Sequence, residues 1–213
     1  RLILTASGGP FYGMSTEELR GVSKNDALRH PNWKMGKKIT VDCATMMNKG
    51  LEIIEACMLF DVPAEKIDVL IHRQSIIHSM AEFCDNTVIA QLASPDMRLP
   101  LQYALTYPDR LPSRAEELDF DKLMTLTFAR PDIETFKSLR LAREALKEGG
   151  TAPTILNAAN EIAVRKFLRD EICFADIADF TERELEATTI IHNPSIEQIL
   201  QTDADIRRKY DVK

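Results

Sequence analysis

Every β-type run in this chain lies before residue 93, and beyond Pro131 only helical periodicity remains. Strand-like and helix-like patterns that segregate along a chain point to an α/β (α+β) unit with a small mixed sheet, followed by an all-α C-terminal four-helix bundle. The β-type runs are LILTA at residues 2–6, TVD ending a strand at residues 40–42, and residues 67–72, 75–83 and 87–92. Cys84-Asp85-Asn86 between the last two suits a hairpin connection. A helix starts near Asp96, with Pro100 in or near its first turn, and ends before Pro108. The later helices are expected at residues 133–148, stopped by Gly149-Gly150, then at 153–169, at 174 or 175 to 187, and at 195–210. Thr151 or Thr154 can cap the second of these, and Pro153 fits its first turn. The proline-punctuated stretch 108–132 reads as a connection between a unit at 1–107 and a bundle at 133–213.

Chemistry concentrates in HPNWKMGKKITVDCATMMNKGLE, residues 30–52. Asp42, Cys43 or Thr45 can cap a helix running to about Phe60. At 3.6 residues per turn Met47, Leu51, Ile54 and Met58 share one stripe, and Asn48, Lys49, Glu52 and Glu55 share the other side. A helix start favours an anion by roughly 0.3–1 kcal/mol before any side chain acts. Lys49 and Asn48 add a charge and an amide donor, and Glu52 offers an oxygen ligand to a hard cation. The alternative is a solvated Lys49/Glu52 pair at i,i+3 spacing. Near the chain start, Ser7-Gly8-Gly9-Pro10 after an apolar strand lets backbone N–H groups approach a phosphate; the alternative is an ordinary turn. Pro31, Gly36 and Lys34, Lys37 and Lys38 disfavour a packed element at residues 29–38. Trp33 and Met35 there need something to cover, either as a lid over a ligand or, for Trp33, as a core anchor. Asn157, Asn160 and Glu161 lie on adjacent turns of one helix, where buried asparagines bonding a neighbouring segment are the expectation over direct ligand contact.

Five blocks in order carry a family resemblance: residues 3–11, residues 30–52, VLIHRQSIIHSM at 69–80, SPDMRLP at 94–100 and LNAANEIAV at 156–164. Together they resemble the 1-deoxy-D-xylulose 5-phosphate reductoisomerases. The resemblance implies an NADPH- and divalent-metal-dependent oxidoreductase and isomerase, using Mg²⁺ or Mn²⁺ (or Co²⁺). Such enzymes convert 1-deoxy-D-xylulose 5-phosphate to 2-C-methyl-D-erythritol 4-phosphate in non-mevalonate isoprenoid biosynthesis. Carried over by position, Ser7, Cys43, Asn48 and Lys49 surround the substrate phosphate, and His30 and His78 stand close to the substrate. Trp33 and Met35 belong to the closing loop, Met97 sits beside the nicotinamide, and Glu52 is a metal ligand. Two positions depart from the family pattern: Cys43 where serine is usual, and Arg73 where proline is usual. No G-x-G-x-x-G follows a strand anywhere in the chain. The implied expectation is a carboxy-terminal fragment lacking the NADPH-binding domain, the other metal carboxylates and the catalytic lysine, and therefore inactive alone. The alternative is a non-catalytic phosphate-binding or oligomerising module. The resemblance also implies a homodimer.

Composition bounds the partners. Across 213 residues the chain is 45% hydrophobic and 28% charged with a formal charge of −6, which argues against nucleic-acid binding. No run of about 18 apolar residues exists, so no membrane span is expected. The cysteines at 43, 57, 84 and 173 lack metal-type spacing and read as reduced thiols. A cytoplasmic location is expected, and an N-terminal leader stays open.

Overall fold

The computed structural model describes residues 1–31 and 35–210. Its sheet is built from β1 (Leu2–Ala6), β2 (Ile67–Ile71), β3 (Ile77–Glu82) and β4 (Val88–Leu92), in the order β2-β1-β3-β4. β1 runs parallel to β2, with Leu4 opposite Val69, and antiparallel to β3, with Leu4 opposite Ser79. The sheet is therefore mixed, as expected. The β3–β4 pair is a hairpin whose turn at Cys84-Asp85-Asn86 relies on Asn86 at φ +66° and on Asp85 Oδ1 accepting the Thr87 N–H at 2.9 Å. Register slips between Ile77 and Ser79, so His78 occupies an irregularity, the kind of place where a sheet re-aims a side chain.

The expected strand at residues 40–42 is not one. The sequence ITVD lies inside α3 (Lys37–Thr45), which Gly36 precedes as N-cap residue. Thr40 Oγ1 donates back to the Gly36 carbonyl at 2.8 Å, and Lys38 pairs with Asp42 one turn on at 2.6 Å. These local bonds, with Val41 and Ala44 fully buried, outweigh the β preference of three branched residues. Met46 then breaks the helix in the left-handed region at φ +68°, and α4 (Met47–Phe60) starts afresh. Of the anticipated caps, only Thr45 acts near this start, its Oγ1 accepting the Met47 N–H at 3.3 Å. The buried face of α4 is Met47, Gly50, Ile53 and Ala56, while Met58 is 69% exposed, so the apolar stripe read from the sequence is rotated.

Two short helices, α1 (Thr16–Leu19) and α2 (Lys24–Ala27), escaped the sequence reading although each begins with a capping box, Ser15/Glu18 and Ser23/Asp26. α5 (Arg98–Thr106) holds Pro100 in its first turn. Then come α6 (Ser138–Glu148), α7 (Ala152–Leu168), α8 (Asp176–Ala187) and α9 (Ile196–Tyr210), the all-helical C-terminal bundle. α6 starts five residues later than expected because Asp132 Oδ1 accepts the N–H groups of Glu134 and Thr135 and closes a turn there. Thr151 precedes α7, but its Oγ1 accepts the Ile191 N–H at 3.0 Å instead of capping the helix.

One apolar cluster joins Val41 of α3, Ile53 of α4 and Ile67 of β2 to Ile155, Ile162 and Phe167 of α7 and Ile177 of α8. Deep in it, Asn160 Nδ2 of α7 donates to the Asp42 carboxylate of α3 at 2.9 Å. That bond bears out the expectation of a buried asparagine serving a neighbouring segment. The bundle thus fixes the α3–α4 corner from behind and leaves the polar side of α4 open.

Candidate functional site

That open side faces the C-terminal end of β1. Between them lies a cavity of about 550 Å³ whose walls include Ser7 and Gly8 after β1, Met35 and Cys43 on or before α3, and Asn48, Lys49 and Glu52 on α4. His30, His78 and Met97 complete it, so every candidate residue named from the sequence lines this one cavity except Trp33, which lies outside the described residues. His78 and Met97 are shared with a second, less polar cavity of about 640 Å³ toward α5.

Each wall follows from local structure. Gly8 and Gly9 are both left-handed, at φ +77° and +68°. A Cβ on Gly9 would stand 2.8 Å from Ala44 Cα and 2.9 Å from the Cys43 carbonyl oxygen, so the loop lies directly against α3. Ser7 Oγ accepts the Gly9 N–H at 3.2 Å and lies 3.2 Å from His30 Nε2. The anion-favouring helix start is the first turn of α4, residues 47–49, not the turn at 42–45 read from the sequence.

The Lys49/Glu52 pair exists, but it is not a solvated one. Lys49 bonds Glu52 Oε2 and Asn48 Nδ2 donates to Oε1 at 2.7 Å, with the Lys49 side chain only 12% exposed. Burial pushes the Cys43 thiol up to about 12, against the opposing pull of Lys49, so it stays a neutral thiol. Burial also holds His30 below the ordinary histidine value, helped by the nearby Arg73 charge. It lowers His78 likewise, against the raising effect of the Ala93 carbonyl 3.2 Å from Nε2. Burial therefore favours the neutral form of both imidazoles, which can donate or accept a hydrogen bond.

Two contributors were given no site role by the sequence: Ser75, which went unnoticed, and Arg73, noted only as a departure from the family pattern. Ser75 lines the cavity, buried and held at φ +52° in the link between β2 and β3. Arg73, from the same link, donates from Nη1 to the carbonyls of Ser7 at 2.8 Å and Gly9 at 2.6 Å. Chemically the cavity offers an ammonium, an amide, a hydroxyl and a glycine-loop backbone, a set suited to a phosphate. For a divalent cation it offers the Glu52 carboxylate. Among the described residues no group of three His, Cys, Asp or Glu side chains could hold a metal, so Glu52 fits as one ligand of a shell completed from elsewhere.

Comparison with known proteins identifies the family and the fold. A family profile described as the DXP reductoisomerase C-terminal domain matches residues 92–209, and one described as the 1-deoxy-D-xylulose 5-phosphate reductoisomerase C-terminal domain matches residues 1–60. The 1-deoxy-D-xylulose 5-phosphate reductoisomerase of Geobacillus sp. (strain WCH70) is 56% identical over 209 residues, 98% of this chain and 55% of the relative. That of Macrococcus caseolyticus (strain JCSC5402) is 54% identical over 213 residues, 100% of this chain and 57% of the relative. A crystal structure of DOX-P reductoisomerase in complex with NADPH, fosmidomycin and magnesium superimposes with a TM-score of 0.93 at 44% identity, covering 99% of this chain and 54% of that one. The Zymomonas mobilis enzyme in complex with NADPH gives 0.91 at 47% identity, with 99% and 54% covered. The chain spans about half the length of the relatives it matches. By its matched profiles, its identity of 54–56% in alignments that cover nearly the whole chain, and its fold, the chain belongs to the 1-deoxy-D-xylulose 5-phosphate reductoisomerase family.

Proposed function

We propose that this chain forms the substrate-phosphate end of a reductoisomerase that converts 1-deoxy-D-xylulose 5-phosphate to 2-C-methyl-D-erythritol 4-phosphate with NADPH and Mg²⁺ or Mn²⁺ (or Co²⁺). The observation that carries the reading is the convergence of Ser7, Asn48 and Lys49, from two separate segments, on one cavity at a glycine loop and a helix start. Ser7, Cys43, Asn48 and Lys49 hold the phosphate, which converts binding into orientation of the sugar. His30 and His78 meet the sugar oxygens as neutral imidazoles. Met35 covers the substrate and excludes water, and Met97 stands on the nicotinamide side. A divalent cation, when bound, supplies Lewis-acid polarisation of the substrate oxygens, and Glu52 is the ligand this chain gives it. The active assembly is a homodimer, and its location is cytoplasmic.

Alone, the chain binds the phosphosugar and does not turn it over. Among the described residues no group of three His, Cys, Asp or Glu side chains could hold a metal, and the sequence has no dinucleotide glycine motif after a strand; both support this part of the reading. The same observation favours the second reading, a phosphate-binding module without catalysis. Residues 1–213 mixed with NADPH, substrate and Mg²⁺ or Mn²⁺ should show no substrate-dependent NADPH oxidation; oxidation would overturn the inactivity. Joined to the preceding half of the Geobacillus relative, the chain should give turnover blocked by fosmidomycin. A folded hybrid without that activity would leave only the non-catalytic reading.

A further inference from the structure

The loop after β1 is held from its outer side. Arg73 bonds two of its carbonyls, those of Ser7 and Gly9, through the same Nη1, while its guanidinium carbon stands 5.3 Å from the centre of the Tyr12 ring. Ser7 and Gly8 line the cavity and Arg73 does not, so the guanidinium lies behind the loop as seen from the cavity. A trans peptide unit is planar, with its C=O and N–H pointing in opposite directions. The Ser7 carbonyl is turned onto Arg73, so the N–H of the same peptide unit, on Gly8, points away from the guanidinium. Of the next two amides, the Gly9 N–H is taken by Ser7 Oγ and Pro10 has none. A charged donor on a carbonyl polarises that peptide and strengthens its N–H as a donor.

We propose that Arg73 is a positioning residue for the anion: by bonding the Ser7 and Gly9 carbonyls it fixes the glycine loop with the Gly8 amide aimed at the substrate phosphate, and it places a positive charge behind that amide. This deepens the phosphate reading of the cavity and rests on it. Arg73 also influences His30, whose ring touches Ser7 Oγ. The other charged or titratable groups lining the cavity with His30 are Cys43 from α3, Lys49, Glu52 and Glu55 from α4 and His78 from β3.

The test is a titration of the chain with inorganic phosphate, read from the NMR signals of Gly8 and His30, in wild type, Arg73→Met, Arg73→Lys and Lys49→Met. Arg73→Met should weaken phosphate binding about tenfold, and lysine should recover part of the loss, because an ammonium restores the charge but not the planar fork. In phosphate-free buffer the His30 titration midpoint should rise in Arg73→Met and stay in place in Arg73→Lys. A purely structural anchor would lower the melting temperature and leave phosphate affinity and the His30 midpoint unchanged; that result overturns the proposal. If Arg73→Met does not fold, Arg73→Lys decides, and wild-type affinity in that variant overturns it. Weakening by Lys49→Met without weakening at position 73 sinks the Arg73 inference alone. Wild-type binding that is absent, or indifferent to Lys49→Met, removes the phosphate reading and this proposal with it.

Discussion

A thiol is a weak hydrogen-bond donor, and at position 43 burial keeps it protonated, its pKa pushed up to about 12. Replacing it with serine puts a stronger donor on the same cavity wall. Cys43→Ser should therefore tighten phosphate binding by roughly fivefold, about 1 kcal/mol, measured as a dissociation constant by calorimetry. Unchanged affinity would mean that Cys43 only packs. Its neighbour Asp42 is 1% exposed, bonded to Lys38 at 2.6 Å and to Asn160 Nδ2 at 2.9 Å, and burial raises its carboxyl above the ordinary aspartate value despite both partners. Folding then takes up a proton between the unfolded and folded pKa values. Asp42's contribution is fullest below the ordinary aspartate pKa and is lost as pH rises through the folded value. Asp42→Asn should flatten that slope in urea denaturation followed against pH and cost no more than about 1 kcal/mol at pH 7, whereas Asp42→Ala should cost about 2–3 by leaving buried Asn160 without its partner. An unaltered slope in Asp42→Asn would contradict the assignment. At this scale helical spacing put Asn48, Lys49 and Glu52 on one face, because residues three and four apart share it, and the family resemblance supplied their roles. Ser75, and the hold of Arg73 on the glycine loop, stayed hidden because both residues enter from an irregular link, where spacing fixes no direction.

Elements were legible where periodicity and punctuation agreed. The hairpin and the helices after residue 137 came from patterns long enough to outweigh local exceptions, whereas the parallel pairing of β1 with β2 had no local signal. Reading failed at residues 37–47, where a branched run inside a helix and a left-handed Met46 both need tertiary contacts to be favourable. What tertiary contact demands is plainest at Gly50. Helix propensity alone favours alanine there by about 1 kcal/mol. Yet a Cβ at Gly50 would stand 2.6 Å from Ala142 Cβ of α6 and 3.3 Å from the Ser138 carbonyl oxygen. Gly50→Ala should destabilise the chain by about 1–3 kcal/mol in urea denaturation, and adding Ala142→Gly should restore part of the loss. A Gly50→Ala variant as stable as wild type would mean that α4 and α6 do not pack this closely. Because α4 carries Asn48, Lys49 and Glu52, that close packing also sets the depth of the cavity.

At the scale of the whole molecule, the cluster running from β2 through α3 and α4 into α7 and α8 makes the bundle the rigid support of a site built mostly on the first half of the chain. Composition and segregation of patterns made the mixed sheet and all-helical end legible; how the bundle docks behind α3 was not, since the Asp42–Asn160 bond spans 118 residues of sequence. The central claim is that this cavity recognises the phosphate end of a phosphosugar. It is tested most directly by equilibrium binding of 1-deoxy-D-xylulose 5-phosphate and of the same sugar without its phosphate. The phosphorylated sugar should bind at least about tenfold more tightly, and Lys49→Met should erase the difference; equal affinity for the two sugars, or a preference that survives Lys49→Met, would contradict the claim.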